Sequence, residues 1–178
     1  LAAIALGAYL WRPSGPPPPL PLQGHSLAIV CLDEGDRKLM ERAAESLRRN
    51  TGLEAGTALS AVDTNGCLDP DRGQLEAERI LQYAEQGQRD WPVLVVLNHD
   101  LFTSGKPEWR YCFGLRGERA SVLSAARLKG SRLDKMLARY AAQLLIGFPP
   151  SHDPRSLFYS PIMGPADIDR MELSIPTP

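Results

Sequence analysis

The sequence has almost no excess of charge of either sign. It contains 20 basic and 21 acidic residues, which gives a net charge of −1 over 178 residues, and the two signs are interspersed. A nucleic-acid-binding protein usually carries a concentrated positive field, so this composition argues against that function. With 43% hydrophobic and 23% charged residues, the chain has an ordinary globular composition and is long enough for one domain.

Cysteine and histidine, the usual ligands of zinc, are also scarce. The three cysteines, Cys31, Cys67 and Cys112, are far apart, and no CxxC pair occurs. One disulfide with one thiol, and three buried thiols, are both compatible with this spacing. The histidines are equally scattered, so we interpret them as surface or turn-capping residues.

The sequence contains no apolar run long enough to cross a bilayer, which takes about 20 residues. Its first 11 residues, LAAIALGAYLW, are apolar and uncharged. This run fits the apolar region of a signal peptide or the end of a membrane anchor that begins outside this sequence. An N-terminal disordered tail with an apolar start is the alternative.

The residues that follow the run favour an anchor. RPSGPPPPLPLQG is a semi-rigid spacer, and tryptophan and arginine at the end of an apolar run are typical of the membrane interface. We therefore predict a single-pass anchor at residues 1–12 and a proline-rich linker at 13–25. The side of the membrane is left open, with the extracytoplasmic side favoured.

From Ser26 onward, apolar periodicity predicts alternating strands and helices. The predicted helices are 33–52, 74–87 and 132–147, and the predicted strands are 26–31, 53–62, 92–98, 109–114 and 119–128. This order predicts a three-layer α/β sandwich with a mixed, mostly parallel sheet and helices packed on it. We therefore expect an α/β domain at 26–148 and an irregular, proline-rich tail at 149–178.

Several stretches together are similar to one protein family. These are DRGQLEAERILQYAEQ, VLVVLNHDLFTSGKPEWRYCFGLRGERASVLSAARL, the helix RLDKMLARYAAQLLIG and the short ADIDR segment. In this order and spacing, residues 70–170 resemble the archaemetzincin family of zinc metalloproteases, which implies a metzincin-like fold. The alternative is that residues 132–147 form an ordinary core helix and the match is coincidental.

The family's signature is HExxHxxGxxHCxxxxCxM, followed further on by CxxC. Two histidines at i and i+4 share a helix face and bind zinc, and the adjacent glutamate is the general base. With Gly147 in the glycine position, the other signature positions hold residues of a different kind. In signature order these are Tyr140, Ala141, Leu144, Pro150, Ser151, Ser156 and Phe158. The resemblance therefore implies a degenerate member that retains only the glycine of the turn.

From this we predict no catalytic residues, no cofactor, no metal site and no enzyme activity. A substitute site built from His152, Asp153, His25 and His99 is disfavoured, because catalytic zinc takes three converging protein ligands. The predicted function is that of a non-catalytic, membrane-anchored pseudoprotease, an accessory or structural subunit of a larger membrane protein complex. Its predicted partners are other protein subunits and exclude nucleic acid. The N-terminal segment would attach the chain to the membrane.

Two other functions remain open. The chain could be a peptide- or ligand-binding module that retains the old substrate cleft, as a groove beside the RASVLS strand. It could also be a hydrolase with an unrecognised site near His99, Asp100 and His152. The apolar residues of the C-terminal tail, from Phe158 to Met163, are suited to lying across a partner.

Overall fold

The computed structural model describes residues 22–60, 64–87 and 90–176. The predicted anchor at 1–12 and most of the predicted linker lie outside these residues and stay predictions. Among the described helices, none combines the length and the apolar character that a membrane crossing requires.

The described part of the chain contains eight strands and four α-helices. The strands are β1 Leu27–Cys31, β2 Ala55–Leu59, β3 Leu68–Asp69, β4 Gln74–Glu76, β5 Val93–Leu97, β6 Leu101–Phe102, β7 Gly114–Arg116 and β8 Ala120–Ser124. The helices are α1 Arg37–Thr51, α2 Ala77–Gln86, α3 Ser131–Leu145 and α4 Pro165–Arg170.

The main sheet has the order β2-β1-β5-β8-β7. Its first four strands are parallel, and only β7 runs antiparallel, paired with β8. A smaller sheet with the order β3-β4-β6 lies beside it. This arrangement confirms the predicted mixed α/β fold with a mostly parallel sheet.

The helices cover both faces of the main sheet. One buried cluster joins α1 and α3 to the sheet residues Ile29, Leu94 and Leu123. The other joins α2 to Val30, Val95 and Val122. Because side chains alternate between faces along a strand, each central strand supplies both clusters, which explains its continuous apolar sequence.

The predicted helices correspond to α1, α2 and α3. Helix α1 ends as its sequence predicts, since Gly52 adopts the left-handed conformation at φ 74° and donates its N–H to Arg48 O. The second predicted helix, 74–87, begins only at Ala77, because Gln74–Glu76 forms β4 and pairs with β6.

The predicted strand at 109–114 is wrong. Up to Phe113 this segment contributes only one isolated bridge, between Cys112 and Leu101, and the strand begins at Gly114. A side chain takes the place of a neighbouring strand here, because Arg110 O accepts a 2.9 Å hydrogen bond from Gln74 Nε2. The GLRGE segment, predicted as a turn, instead contributes β7.

The C-terminal segment is more ordered than predicted. Residues 165–170 form α4, whose start is stabilised by Asp167 Oδ2 accepting the N–H groups of Met163 and Gly164. Leu157, Phe158 and Ile168 are buried in the core shared with α1 and α3. At the other end Leu22, within the predicted linker, is also buried in this core.

Candidate functional site

Helix α3 carries the positions at which the sequence resemblance implies zinc ligands. Tyr140 is 7% exposed and Ala141 is fully buried, whereas Leu144 is half-buried and packs against the same core. These side chains continue the apolar face of α3 that begins with Leu133 and Met136. This face of α3 therefore packs into the core, and its polar group is the Tyr140 hydroxyl.

The Tyr140 ring is held against the sheet. An added Cβ atom at Gly114 would lie 2.9 Å from Tyr140 Oη, so the hydroxyl group lies directly over this glycine. Burial raises the pKa of Tyr140 well above its ordinary value, and Arg139 only partly opposes this effect. The hydroxyl group therefore stays protonated at any physiological pH.

Gly147 forms the turn that the resemblance implies. It has φ 82°, in the left-handed region, and donates its N–H to Gln143 O. The chain then folds back on itself, with Ser151 N bonded to Phe158 O and the Phe148 ring stacked on Phe158 at 4.5 Å between centroids.

Zinc does not fit at this end of α3. Ordinary zinc ligands are thiolate, imidazole and carboxylate groups, and Tyr140, Ala141, Leu144 and Pro150 supply none of them. The only side-chain oxygen among them is the phenol of Tyr140, whose pKa is raised by burial well above its ordinary value. The residues present therefore do not match a zinc centre built on this turn.

A cleft of about 390 Å³ lies beside Tyr140. One wall is formed by α3 and another by the segment that leads into β7. The lining residues are Trp109, Arg110, Tyr111, Cys112, Phe113, Gly114, Met136, Arg139, Tyr140, Ser160, Pro161, Ile162 and Met163. This volume is within the range of small-ligand sites and is sufficient for a few amino-acid residues.

The cleft borders β7 and not the RASVLS strand named by the sequence prediction. That strand is β8, which pairs with β5 on one side and β7 on the other. Strand β7 is the end strand of the main sheet, so one of its edges is not paired within this sheet. An edge of this kind accepts an added strand from another polypeptide.

Aromatic contacts hold the second wall in place. Tyr111 and Phe113 pack edge to face with 5.3 Å between ring centroids, and the Arg127 guanidinium lies 4.1 Å from the Tyr111 ring centroid. Arg127 is itself paired with Asp100. Asp100, one of the residues predicted for an alternative hydrolase site, is therefore engaged in orienting this wall.

Arg139 is the buried charge of the cleft. It is 7% exposed, and its Nη1 donates two 2.8 Å hydrogen bonds to the carbonyl oxygens of Leu157 and Tyr159. Burial lowers its pKa from the ordinary value, but an arginine remains charged at neutral pH. Within the described residues, no carboxylate pairs with this guanidinium group.

Three solved structures share this architecture. The archaemetzincins from Methanopyrus kandleri and Archaeoglobus fulgidus, the latter complexed with malonate, both match with a TM-score of 0.67. The two archaemetzincins are 19% and 21% identical to this chain, respectively. Each match covers 84% of this chain, and it covers 87% of the first archaemetzincin and 94% of the second. A zinc-dependent peptidase from Methanocorpusculum labreanum matches with a TM-score of 0.64 at 16% identity, over 83% of this chain and 94% of its own.

This chain has an archaemetzincin-like fold. The resemblance found in the sequence is thereby confirmed at the level of the fold. No family model and no curated protein matches the sequence. Identities near 20% carry no information on activity, so the chemistry of the archaemetzincin-like chain depends on its own residues.

Cys112 is the one cysteine among the residues that line the cleft, and its environment suppresses the reactivity of its thiol. Burial, together with the charge of Glu78, raises the pKa of the thiol to about 12. The thiolate is the reactive form, so this cysteine is a poor nucleophile at neutral pH. Cys31 and Cys67 are also free thiols, which answers the pairing question that the sequence left open.

Sequence reasoning missed one group of metal-ligating side chains in the archaemetzincin-like domain. Asp33, Asp36 and His99 lie at the carboxyl ends of β1 and β5, and one ligand atom of each lies within 4.8 Å of the others. Only the Asp36 carboxylate is buried, and it accepts a hydrogen bond from Asn98 N at 3.1 Å. The signal that points to this group is the position of all three residues just after adjacent parallel strands.

The sequence prediction places His99 near Asp100 and His152. In this group, His99 lies instead beside Asp33 and Asp36. His152 is exposed in the turn after α3. Its neighbour Asp153 is used within that turn, where Oδ1 accepts the N–H of Arg155.

Proposed function

We propose that this chain is a non-catalytic protein built on the archaemetzincin fold, and that it binds an extended polypeptide segment of a partner protein in the cleft beside α3. The observation that carries the proposal is the occupation of the i and i+4 positions of α3 by Tyr140 and Leu144. A buried phenol and an aliphatic side chain supply packing at the place where a peptidase of this fold would require metal ligands.

The composition of α3 also supports the loss of peptidase chemistry. Ala141, at the position of the general base, has no group that accepts a proton from water. An unpaired polar group costs about 1–3 kcal/mol when it is buried, so a scaffold without metal is more stable with apolar residues here. Ala141 and Leu144 fit that expectation.

The cleft supports the binding role. It is open beside Tyr140, is lined mainly by aromatic and aliphatic side chains, and includes Gly114, the first residue of the end strand β7. Zinc peptidases must hold an extended chain for cleavage, and the same architecture without a metal is suited to holding one without cleavage.

We further propose that the binding role is that of an accessory subunit of a membrane complex. The support comes from the sequence of the first 25 residues, with an apolar run followed by a proline-rich spacer. Co-purification from detergent-solubilised membranes is the test for this part. A chain that runs alone after solubilisation, without any partner in stoichiometric amount, would contradict it.

Metal content and peptidase activity test the central proposal. The purified chain is expected to contain well under one zinc ion per molecule and to leave unfolded protein substrates intact. The zinc-dependent peptidase from Methanocorpusculum labreanum, purified and assayed in parallel, is the positive control. Stoichiometric zinc together with proteolysis by this chain would overturn the proposal.

The group formed by Asp33, Asp36 and His99 favours a second candidate, a metal-assisted hydrolase with its centre at the carboxyl edge of the sheet. Replacing His99 by alanine separates the two candidates. If the wild-type chain binds Mn²⁺ or Zn²⁺ with hydrolytic activity and His99→Ala loses both, the second candidate is supported. A wild-type chain without metal and without activity excludes it.

A further inference from the structure

The guanidinium group of Arg139 is buried beside the cleft without an acidic partner. Its two hydrogen bonds within the described ranges both come from Nη1. Nε and Nη2 have no protein partner there and are not fully buried, so their N–H groups are accessible to solvent or to a ligand. Burying a charge is costly unless an opposite charge compensates it. The unused donors of a residue that lines a cleft therefore indicate an anionic ligand.

The charges around the cleft agree with this. Arg110 and Arg139 are both among its lining residues, and that set contains no aspartate or glutamate. Arg110 is exposed and forms no ion pair within the described residues. An arginine at the rim adds long-range attraction for an anion, and a buried arginine adds specific hydrogen bonds.

A carboxylate is the anion that best matches the rest of the site. The fork of an arginine side chain binds a carboxylate through two parallel hydrogen bonds. Most of the other lining residues are apolar or aromatic, among them Tyr111, Met136 and Ile162. The ligand should therefore combine one carboxylate with an apolar group of moderate size.

The edge of β7 indicates that this ligand is a polypeptide. The cleft is lined by the chain segment that runs from Trp109 into Gly114, the first residue of this end strand. An extended peptide that pairs with this edge and ends in the cleft would place its terminal carboxylate among the arginines.

We propose that the cleft binds the C-terminal end of a partner polypeptide, with the terminal carboxylate on Arg139 and the last apolar side chain among the aromatic residues of the cleft. This inference rests on the proposed peptide-binding function and adds the part of the partner that is recognised. Arg139 is preorganised for this role, because Leu157 O and Tyr159 O hold its Nη1 in a fixed place before any ligand arrives.

Two pools of random hexapeptides that end in an apolar residue test the proposal on the wild-type chain. The pools are identical except that one carries a C-terminal carboxylate and the other a C-terminal carboxamide. We expect peptides from the carboxylate pool to bind about tenfold or more tightly, the factor typical of a charge-assisted hydrogen-bonded pair. Binding should weaken with salt, since both partners are charged.

Each other outcome has a definite meaning. Equal binding of both pools would overturn carboxylate recognition and leave the proposed peptide-binding function intact. Binding of neither pool would overturn both. Binding of 3-phenylpropionate, tested alone, in the absence of binding to either pool would show a site for small carboxylates and also overturn the peptide proposal.

Variants locate the binding site. Arg139→Lys keeps the charge but loses the planar fork, so it should reduce the preference for the carboxylate pool about tenfold. Arg110→Gln changes an exposed side chain without a structural partner and should reduce both affinity and its salt dependence. Arg132→Gln is the matched control, since Arg132 lies on α3 outside the cleft and pairs with Asp169. Unchanged preference in both Arg139→Lys and Arg110→Gln would exclude this cleft as the carboxylate site.

Discussion

Tyr140 on α3 and Gly114 on β7 are in direct contact, so the helix lies close against the end strand of the main sheet. A Cβ atom at Gly114 would lie 2.9 Å from Tyr140 Oη and 3.1 Å from Tyr140 Cζ. It would also lie 2.3 Å from Val122 O, on the neighbouring strand β8. Helix and edge strand therefore approach each other to a distance that only glycine permits.

The first prediction concerns this contact. Gly114→Ala should lower the free energy of unfolding by about 1–3 kcal/mol, the range for an overpacked core, because the main chain of β8 has no freedom to move aside. Urea denaturation followed by circular dichroism is the measurement. The same variant should also weaken peptide binding, since Tyr140 has to shift into the cleft.

Gly56→Ala is the matched control for this variant. Gly56 lies in the other edge strand, β2, and an added Cβ atom would have its nearest neighbour, Leu27 O, at 4.0 Å. Removing this glycine should leave stability unchanged or slightly raised, because alanine costs less conformational entropy in a strand. A Gly114→Ala variant as stable as Gly56→Ala would show that Tyr140 is not held against the sheet.

The layered fold could be predicted because apolar periodicity and helix ends are local signals. Val93–Leu97 reads as a strand buried on both faces, and Gly52 and Gly147 mark the ends of α1 and α3 as the sequence predicts. Packing between these elements then follows from their apolar faces. The Tyr140 position and its burial also follow, since the helical register of α3 fixes which residues share a face.

The cleft could not be predicted, because its walls depend on contacts between residues far apart in sequence. Residues 109–113 look like a strand, but Gln74 and Arg72 bond to their carbonyl oxygens and hold them as a wall. Arg139 looks like a solvent-exposed helix residue until the carbonyl groups of residues 157 and 159 fold over it. The Asp33, Asp36 and His99 group likewise forms only when β1 and β5 become neighbours.

The second prediction concerns Glu78, the first-turn residue of α2 that fixes the loop before the cleft wall. Its carboxylate accepts hydrogen bonds from the Thr103 hydroxyl group and from the N–H groups of Ser104 and Gly105. Burial alone would raise the pKa of Glu78, but the hydrogen bonds from these three residues and from its own main-chain N–H together leave the pKa below the ordinary value of 4.5.

A depressed pKa means that the ionised Glu78 stabilises the folded chain. Its contribution is fully present above pH 4.5 and is lost as the pH falls through the lower pKa of the folded state. Glu78→Gln should therefore destabilise the protein by about 1–2 kcal/mol at neutral pH, and this difference should shrink in acid. Unfolding curves at several pH values measure it; a difference that stays constant down to the acid transition would contradict the ionised role.

The third prediction concerns Ser121 on β8, whose hydroxyl oxygen is buried and has no hydrogen-bond partner within the described residues. It lies opposite Leu94 in the sheet, in an apolar environment. Burying an unpaired hydroxyl group costs free energy, so Ser121→Ala should raise the free energy of unfolding by about 1 kcal/mol.

Ser124 on the same strand is the contrasting position. Its hydroxyl group donates a 2.6 Å hydrogen bond to His99 O and accepts one from Ala126 N at 3.2 Å. Ser124→Ala should therefore lower the free energy of unfolding by about 1–2 kcal/mol, since it leaves two main-chain groups without their partner. The two variants differ from the wild type by the same single atom, so the opposite signs isolate the effect of hydrogen bonding. If Ser121→Ala destabilises the protein as much as Ser124→Ala, then the Ser121 hydroxyl group has a partner, such as a bound water molecule, in solution.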